Sequence, residues 1–424
     1  MNVPKLRFKE FTDEWLLLKE NIKILSGNMY PLSAYNDTGV LLIQGLNIYP
    51  KKLNLDKPIY ISNEFNAVKH LIIQKNDILI GLNRPIINNE LKICKFMYDY
   101  AYLYQRAGVL SFNKEKINTD CLYQYLQSHQ FIKNLSTELV GSDQPYIKSN
   151  LFNVIKIYFP KLEEQNKIAK FLTTVDKKIT NLENTITSLE NQKKGLLQQI
   201  FSQKLRFKDK NGNNYPNWEE KLFSDIFSFL STNSYSRTEM NEYHGTVKNI
   251  HYGDVLIKFN HIIDLSKHQL PYLINYNSLP KEILKEQLNK QLIKNGDIVI
   301  ADTAEDYTAG KVCEVINVND NLIVSGLHTM LCRPKPNLFS LGFLGYFMNS
   351  YTYHHQLLKL ITGTKVYSII KKEIIKTKIL IPCLEEQTKI ANFLSAFDRK
   401  LENQKAQLEH WKQIKKGLLQ QMFV

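Results

Sequence analysis

Apolar residues recur in alternating steps of four and three along two segments of the chain. The first segment has Ile168, Leu172, Val175, Ile179, Leu182, Ile186, Leu189, Leu196 and Ile200, with Lys193 as a polar interruption. The second has Ile390, Leu394, Phe397, Leu401, Leu408, Trp411, Leu418 and Met422, interrupted by Gln404 and Lys415. This spacing is typical of a coiled-coil seam and predicts two long helices. Roughly 35 to 40 residues at ~1.5 Å rise make each about 50 to 60 Å long.

Both helices have the same predicted start. A proline precedes each segment, at Pro160 and Pro382, and an acidic pair follows at 163–164 and 385–386. Carboxylates suit the positive end of the helix dipole. The interrupting lysines occupy equivalent seam positions, so we expect the helices to pair with each other and to use polar residues to fix their register. The long intervening segment favours antiparallel pairing.

The remaining segments, 16–159 and 219–381, are rich in isoleucine, tyrosine and asparagine. Strands are predicted at Val40-Leu41-Leu42-Ile43, Asp77-Ile78-Leu79-Ile80, Asp297-Ile298-Val299-Ile300 and Ile379-Leu380-Ile381. Helical stretches are predicted from Tyr123 to Leu135 and from Leu341 to Leu358. The fold class is therefore α+β, with two strand-rich domains joined by two long helices that pair as an antiparallel coiled coil.

The chain is an internal repeat. Pro160-Lys161-Leu162-Glu163-Glu164-Gln165 recurs 222 positions later as Pro382-Cys383-Leu384-Glu385-Glu386-Gln387, and Lys193-Lys194-Gly195-Leu196-Leu197-Gln198-Gln199 recurs as Lys415-Lys416-Gly417-Leu418-Leu419-Gln420-Gln421. Each copy opens on Lys-Leu-Arg-Phe-Lys, at 5–9 and 204–208, followed by Trp15 or Trp218. The repeat predicts domains at 1–159 and 204–381 and helical spacers at 160–203 and 382–424, related by a pseudo-two-fold.

Identity between the two strand-rich domains is low. Lys75-Asn76-Asp77-Ile78 is similar to Asn295-Gly296-Asp297-Ile298, and Gly141-Ser142 lies 222 positions before Gly363-Thr364. Elsewhere few residues match. The pattern indicates one scaffold used twice, with surfaces that have diverged, and so two similar but unequal binding sites.

Composition narrows the class of partner. The 424 residues suit two domains, and the formal net charge of +14 suits a polyanion, because lysine and arginine neutralise phosphates. The charge is weak support alone, since scarce arginine beside abundant lysine, asparagine and isoleucine is also what an AT-rich genome imposes. The sign of the charge excludes an acidic DNA mimic.

The sequence has neither the apolar segments of a membrane or secreted protein nor the cysteine spacing of a disulfide framework or zinc site. No apolar run approaches the ~18 residues of a membrane span, and the first residues lack the apolar region of a signal peptide, so the cytoplasm is expected. The five cysteines are scattered without Cys-x-x-Cys spacing, which argues against a disulfide framework or zinc site.

Catalytic signatures are not found in the sequence. It has no phosphate-binding Gly-rich loop with Lys-Ser/Thr, no Gly-x-Ser-x-Gly, no His-Glu-x-x-His and no Asn/Asp-Pro-Pro-Tyr/Phe. Asp77 followed by Glu90-Leu91-Lys92 superficially matches a metal-nuclease core, but Asp297 in the second copy has no matching Glu-x-Lys. We expect no catalytic residues and no metal in this chain, although an enzyme with an unrecognised site remains an alternative.

Polar loops flanked by aromatic residues recur in both copies and are the candidate DNA-binding residues. Arginine binds guanine and Gln or Asn binds adenine through paired hydrogen bonds, while lysine and tyrosine contact phosphates. In the first copy they are Gln44, Asn47, Tyr49, Lys51, Lys52, Asn83, Arg84, Gln105, Arg106, Ser142, Gln144, Tyr146 and Lys148. In the second they are Arg237, Lys248, Asn249, His251, Tyr252, Lys311, His328, Thr364, Lys365 and Tyr367. Any one loop could equally be a solvated turn, and a plain coiled-coil scaffold remains a further alternative.

The chain resembles the specificity (S) subunit of a Type I restriction-modification system. The resemblance runs from Leu6-Arg7-Phe8 and Trp15, through the helix start Leu162-Glu163-Glu164-Gln165-x-Lys167-Ile168-Ala169, to the closing helix from Leu384 to Val424. The repeated Leu-Glu-Glu-Gln and the Lys-Lys-Gly-Leu-Leu-Gln-Gln ending carry most of its specificity. It covers nearly the whole sequence.

The resemblance implies function and partners. Each variable domain would be a target recognition domain for one half of a bipartite, asymmetric site in double-stranded DNA, and the helices would set the gap and dock two modification subunits. Those partners would bind S-adenosylmethionine and methylate adenine, and motor-nuclease restriction subunits would use ATP and Mg. No cofactor is expected in this chain. The individual DNA-contacting residues do not transfer from the family, because these domains vary most.

Overall fold

The structure is a computed structural model that describes residues 3–18, 22–62, 71–276 and 279–424. It divides into two units, Met1–Asn184 with Lys405–Val424, and Thr185–Gln404. Each unit therefore combines one strand-rich domain with one part of each long helix. Division along the chain and division in space differ, because both helices contribute to both units.

The first unit contains two larger sheets. Its strands are β1 (Leu16–Leu17), β2 (Lys23–Ser26), β3 (Tyr35–Asn36), β4 (Val40–Ile43), β5 (Ile48–Tyr49), β6 (Lys52–Leu53), β7 (Ile59–Ile61), β8 (Ile72–Gln74), β9 (Ile78–Gly81), β10 (Ile86–Ile87), β11 (Glu90–Leu91), β12 (Ile93–Lys95), β13 (Tyr100–Leu103), β14 (Ala107–Ser111) and β15 (Tyr158–Phe159). The sheets have the orders β12-β9-β14-β2 and β3-β7-β4-β13-β8, with β4 and β13 parallel. Strand pairs β1-β15, β5-β6 and β10-β11 complete the unit.

Helices in this unit follow the sheets. They are α1 (Thr119–Tyr125), α2 (His129–Glu138), α3 (Leu151–Val154) and the start of α4 (Leu162–Phe201). The predicted helical stretch from Tyr123 to Leu135 is two helices, because the Ser128 side chain accepts a hydrogen bond from the Phe131 amide and caps α2. The strand predicted at 40–43 is confirmed as β4, and the one at 77–80 as β9, one residue later.

The second unit repeats the plan. Its strands are β16 (Glu219–Leu222), β17 (Phe227–Leu230), β18 (Met240–Asn241), β19 (Val247–Ile250), β20 (Ile262–Asp264), β21 (Tyr272–Leu273), β22 (Ile298–Ala301), β23 (Thr303–Ala304), β24 (Val312–Ile316), β25 (Leu322–Ser325), β26 (Thr329–Pro334), β27 (Tyr367–Ser368) and β28 (Lys378–Ile381). Its helices are α5 (Phe223–Ile226), α6 (Lys281–Gln287), α7 (Phe343–Phe347), α8 (Tyr351–Leu358), α9 (Lys371–Ile374) and α10 (Leu384–Gln421). Ser350 caps α8 and divides the stretch predicted from Leu341 to Leu358.

The two domains share topology and register despite their divergent sequences. The order β17-β26-β22-β24 in the second unit matches β2-β14-β9-β12 in the first, with β20 added beside β24. The order β18-β21-β19-β25 matches β3-β7-β4-β13, and the described part of this second sheet has no strand equivalent to β8. Ala107 pairs with Gly81 as Thr329 pairs with Ala301. The parallel pair β4-β13 reappears as β19-β25. The predicted repeated scaffold is confirmed.

The long helices pair antiparallel within each unit, as predicted. In the first unit Lys415 Nζ lies 2.5 Å from Asp176 Oδ1, and Lys412 contacts Glu183. In the second unit Lys193 forms the equivalent ion pair with Asp398. The seam lysines are buried, 8% and 5% exposed at Lys193 and Lys415. Across the residues that the structure describes, no helix has the length and hydrophobicity needed to span a membrane.

Each Asp is also held by its own domain. Gln124 Nε2 donates to Asp176 Oδ2 at 2.6 Å, and the Tyr346 hydroxyl donates to Asp398 Oδ2 at 2.6 Å. Gln124 and Tyr346 are 222 positions apart, as are the two Asp residues. The strand-rich domain and the helix pair of each unit are therefore tied together at the same place.

Helix starts are fixed by the opening motif of each copy. The Arg7 guanidinium donates to both oxygens of buried Glu164 at 2.7 and 2.8 Å. Arg206 makes the same paired contact with Glu386, at 3.1 and 2.6 Å. The hydrogen bond from the Arg7 side chain to Glu164 raises the pKa of Arg7. Arginine in the short opening motif is thus structural.

Candidate nucleic-acid interface

Four predicted loops of the first unit converge. The Leu82 amide donates to the Arg106 carbonyl at 3.0 Å, and the Arg84 amide donates to the Pro145 carbonyl at 2.7 Å. Gly45 packs so closely that a Cβ there would lie 2.5 Å from the Arg106 carbonyl oxygen. We call residues 44–47, 82–84, 105–106 and 141–146 the first loop cluster. It contains Gln44, Asn47, Asn83, Arg84, Gln105, Arg106, Ser142, Gln144 and Tyr146 from the sequence prediction.

The second unit builds an equivalent cluster. The Asp302 amide donates to the His328 carbonyl at 3.1 Å, as Leu82 does to Arg106. The Ile369 amide donates to Asp302 at 2.9 Å, matching the bond from Ile147 to Leu82. We call residues 251–254, 302–304, 327–328 and 363–368 the second loop cluster. It contains the predicted His251, Tyr252, His328, Thr364, Lys365 and Tyr367.

The turn after the parallel strand is the same in both clusters. The Asn47 carboxamide oxygen accepts a hydrogen bond from the Gln44 amide at 2.8 Å. The Asp254 carboxylate accepts the corresponding bond from the His251 amide at 3.4 Å. Gln44 and His251 are therefore equivalent positions carrying different side chains. Arg237 donates to Asp254 at 2.8 Å, which commits this predicted DNA-binding arginine to the turn.

Three predicted residues have their side chains occupied inside the protein. Asn47 is buried and donates to the Asn54 carbonyl at 3.0 Å, and Asn249 is fully buried with its carboxamide bonded to Asn233 at 2.9 Å. The Lys311 ammonium donates to the Leu256 and Phe259 carbonyls at 2.9 and 2.7 Å. Burial lowers the pKa of Lys311. The geometry assigns these three a structural role, so we omit them from the proposed interface.

The other predicted lysines lie outside the clusters. Hairpin β5-β6 carries Tyr49, Lys51 and Lys52 beside β12, where the Lys51 amide donates to the Ile93 carbonyl and its ammonium pairs with Glu90. Lys248 is half-buried and donates to Asn321 at 3.0 Å. Lys148 is exposed and follows the 141–146 hairpin. Lys51, Lys52 and Lys148 suit phosphate contacts beside a cluster rather than base contacts within it.

The second cluster is rich in aromatic and imidazole groups. The Tyr252 ring lies 5.5 Å from His328 and 4.5 Å from His251. His328 Nδ1 lies 3.4 Å from Asp302 Oδ1 and 3.3 Å from Thr303 Oγ1. Burial, and then Arg237, lowers the pKa of His251, so its imidazole is neutral at pH 7 and both donates and accepts hydrogen bonds. This surface differs chemically from the arginine-bearing first cluster.

Sequence reasoning missed Asp302, Thr303 and Tyr307. Asp302 and Thr303 stand where the first cluster has Leu82 and Asn83, and the Tyr307 ring lies 4.7 Å from Tyr367. No residue identity links these loops. The offset of 220 between Asp77 and Asp297 would have located them, because the strand after each aspartate leads directly into the loop.

The described residues include no group of three or more His, Cys, Asp or Glu side chains placed to hold a metal ion. Cys94, Cys121, Cys313 and Cys332 are buried, and burial raises the pKa of each thiol, to about 12 for Cys94 and Cys313. Such thiols are protonated and poor nucleophiles at neutral pH.

The two loop clusters share their backbone hydrogen bonds but carry different side chains. Each lies on a domain that packs against an antiparallel helix pair. These features define a class of tandem-repeat protein with two unequal recognition surfaces. The family model described as Type I restriction modification DNA specificity domain matches residues 17–191 and 215–410. The chain belongs to this family.

Individual relatives agree with this membership. The chain is 33% identical over 212 residues to the Type I restriction enzyme MjaVIII specificity subunit of Methanocaldococcus jannaschii, covering 49% of this chain and about half, 50%, of that relative. The fold is similar to the crystal structure of a Type-I restriction-modification system S subunit from M. genitalium, at TM-score 0.57, 15% identity and coverage of 100% and 99%. It is also similar, at TM-score 0.54, 15% identity and 96% coverage of both chains, to a chain from a structural study of complex assembly and conformational transition of the type I R-M system.

Proposed function

We propose that this chain is the DNA sequence-recognition subunit of a Type I restriction-modification complex. Each strand-rich domain binds one half of a bipartite, asymmetric site in double-stranded DNA. The observation that carries the proposal is the pair of loop clusters, which share hydrogen-bonded backbone positions but present Gln44 and Arg106 in one unit and His251 and His328 in the other. Different side chains on one frame bind different base sequences.

The helix pair sets the spacing between the two half-sites. Continuous helices of 40 and 38 residues are stiff connectors, and the Lys–Asp ion pair in each unit fixes their register. A fixed register implies a fixed number of unspecified base pairs between the half-sites. Positive charge over the whole chain adds sequence-independent attraction to phosphates.

Matched apolar surfaces support docking of two copies of one partner. Each unit exposes a leucine of the opening motif, a leucine at the helix start and a phenylalanine nine residues further along the helix, between 37% and 45% exposed in every case. These residues are Leu6, Leu162 and Phe171 in the first unit and Leu205, Leu384 and Phe393 in the second. Phe171 packs edge-on against Phe8 at 5.8 Å, and Phe393 against Phe207 at 5.6 Å. We assign these surfaces to two modification subunits.

Catalysis then belongs to the partners. In this proposal the modification subunits bind S-adenosylmethionine and methylate adenine, and motor-nuclease restriction subunits bind ATP and Mg. This chain contributes sequence selection and no catalytic group. Its cytoplasmic location remains a prediction from the sequence.

Methylome sequencing of a host that carries a cognate modification subunit, with and without this gene, tests the proposal. We expect N6-methyladenine at one split, non-palindromic motif that depends on the gene. As a matched control, a chain whose segment 204–381 is exchanged for that of a related protein should change one half of the motif only.

The outcomes separate the alternatives. Absence of any new motif beside a demonstrably active modification subunit would favour a coiled-coil scaffold. Methyl transfer or DNA cleavage by the purified single chain would favour an enzyme with an unrecognised site. A motif with two identical halves would contradict the assignment of unequal recognition surfaces.

A further inference from the structure

We propose that Arg84 and Arg106 are the base-recognising side chains of the first unit and that each binds a guanine of the first half-site in the major groove. This inference rests on the proposed function and adds the chemical identity of the recognised base. The arginine fork matches the N7 and O6 acceptors of guanine, which no other base pair presents in that arrangement.

The arginines of the chain separate sharply by their contacts. There are seven, at positions 7, 84, 106, 206, 237, 333 and 399. Arg7, Arg206, Arg237 and Arg333 pair with Glu164, Glu386, Asp254 and Asp297, and Arg399 contacts Ser395. Within the described parts of the chain, Arg84 and Arg106 alone are exposed without a side-chain hydrogen bond or ion pair. Both belong to the first loop cluster.

Both arginines occupy a backbone conformation that is unfavourable for their residue type. Their φ angles are +44° at Arg84 and +67° at Arg106, in the left-handed region where residues with a Cβ are strained. Such strain is typically found at functional positions. Both turns belong to the first loop cluster, and each carries an exposed guanidinium group.

Surrounding contacts hold the two turns in place. The Arg106 carbonyl is bonded by Leu82 and packed by Gly45, and the Arg84 amide is bonded to Pro145. A side chain fixed at its backbone loses less freedom when it binds, which favours geometric selection of a base over loose attraction to phosphate.

Neighbouring amides are less available. The Gln44 carboxamide donates to the Tyr35 hydroxyl at 3.3 Å, and the Gln105 carboxamide donates to the Tyr104 hydroxyl at 3.4 Å. Each bond occupies one of the two N–H donors of its carboxamide. The exposed guanidinium groups of Arg84 and Arg106 have no such partner, so the first half-site is expected to be defined by its guanines.

The second unit provides an internal contrast. Its equivalent of Arg106 is His328, which keeps a positive φ of +55°, and its equivalent of Arg84 is Ala304 in β23. The strained position is retained while the chemistry changes. A neutral or protonated imidazole lacks the bidentate fork of arginine. The second half-site is therefore not expected to depend on paired guanine contacts of this kind.

The test uses the full chain assembled with its modification subunits and a duplex that carries the methylated motif. Each guanine of the first half-site is replaced in turn by 7-deazaguanine, which pairs normally but lacks the N7 acceptor. For wild-type protein we expect binding to weaken roughly 10- to 100-fold at one or two positions. R106A or R84A should bind the normal duplex more weakly than wild type does. For each variant, replacing the guanine that the lost arginine binds should cause no further loss of affinity.

Two controls make the result specific. H328A should alter sensitivity in the second half-site only, and K148A, which removes an exposed lysine near the cluster, should weaken binding equally for all sequences. Equal weakening of all sequences by R84A and R106A would show phosphate contacts and overturn the inference. Full sensitivity to 7-deazaguanine in the R84A/R106A double variant would also overturn it.

Failure of the proposed function looks different. If the wild-type assembly shows no preference for any bipartite duplex, sequence recognition itself is refuted. If it selects the motif but tolerates 7-deazaguanine at every first-half position, recognition stands and the guanine assignment is wrong.

Discussion

At equivalent positions, the two units connect a strand to the start of a helix through different residues. Lys95 lies opposite Ile78 in the first unit and forms an ion pair with Asp120 at the start of α1. Glu314 lies opposite Ile298 in the second unit. It accepts hydrogen bonds from the Gly342 and Gly345 amides at 2.7 and 2.9 Å, where α7 begins. Each strand is thus tied to a helix N-terminus, once by two side chains and once by a carboxylate and backbone amides.

Glu314 should make the second unit sensitive to pH. Burial raises its pKa to about 7, from an ordinary value of 4.5, against the opposing effect of the backbone hydrogen bonds. Between pH 4.5 and 7 the folded state binds more protons than the unfolded state, so this carboxyl lowers the free energy of unfolding as pH rises. The full loss is about 3 kcal/mol. E314Q should abolish this contribution in urea denaturation between pH 4.5 and 7.5.

His261 offers the opposite control. Burial lowers its pKa to about 4, so between pH 4 and 6.5 the unfolded state binds more protons and stability rises with pH. H261Q should therefore steepen the fall in stability that Glu314 causes, whereas E314Q should leave a net rise. Hydrogen exchange of β22 and β24 localises the effect. Identical pH profiles for E314Q and wild type would contradict the assignment.

For the helices, the Lys–Asp pairs matter more for pairing than for bulk stability. Lys415 is buried, and desolvation lowers its pKa although Asp176 acts to raise it. A buried ion pair contributes little net stability, but removing one partner leaves an uncompensated charge. We expect D176N to destabilise the first unit by about 3 kcal/mol, and D176N/K415M to recover most of that loss.

The second unit supplies a matched pair for this experiment. D398N removes the negative charge that pairs with Lys193, and it leaves one carboxamide oxygen where the carboxylate has two oxygens to accept from Lys193 and the Tyr346 hydroxyl. D398N should speed hydrogen exchange in the second unit only, and D176N should speed it in the first unit only. Equal destabilisation by the single and double variants would show that volume, rather than charge, determines stability here.

Sequence periodicity was sufficient for the helices because each seam position repeats a burial requirement. Leu172, Val175 and Leu182 are buried as predicted, and the predicted interruption at Lys193 is the position that pairs with Asp398. Asp398 itself could not be identified, because a half-buried carboxylate looks like any surface acid in sequence. The pairing partner is a property of the folded helix pair.

Loop chemistry was less predictable than loop position. Residue type predicts DNA contacts for the loops that carry Arg84 and Arg106 and equally for Asn249, but Asn249 is a buried residue of β19. Residue type does not show which way a strand residue faces when both faces of the sheet are covered. The equivalence of His328 with Arg106 depends on register and φ angles, which divergent sequences do not display.

At the scale of the whole molecule, residues near both ends of the sequence complete the first unit. The Leu6 amide donates to the Gln421 carbonyl at 2.9 Å, and Phe423 packs edge-on against Trp15 at 6.3 Å. In the second unit the continuous chain makes the same contacts. There the Leu205 amide donates to Gln199 at 3.0 Å, and Phe201 packs against Trp218 at 6.4 Å. Each unit therefore buries one phenylalanine against its tryptophan, and this phenylalanine comes from the C-terminal end of α10 in the first unit and of α4 in the second.

Replacing either of these phenylalanines should inactivate the recognition surface of its own unit only. Phe423 is buried against Trp15 and Tyr125, so F423A should cost about 3–5 kcal/mol in the first unit, with little change in the second. F201A should do the converse through the loss of contacts with Phe343 and Phe347. Hydrogen exchange of each unit measures the local loss, and methylome sequencing at rising temperature measures its consequence. With F423A we expect relaxed selection in the first half-site before the second; simultaneous loss of both halves would show that the units do not unfold independently.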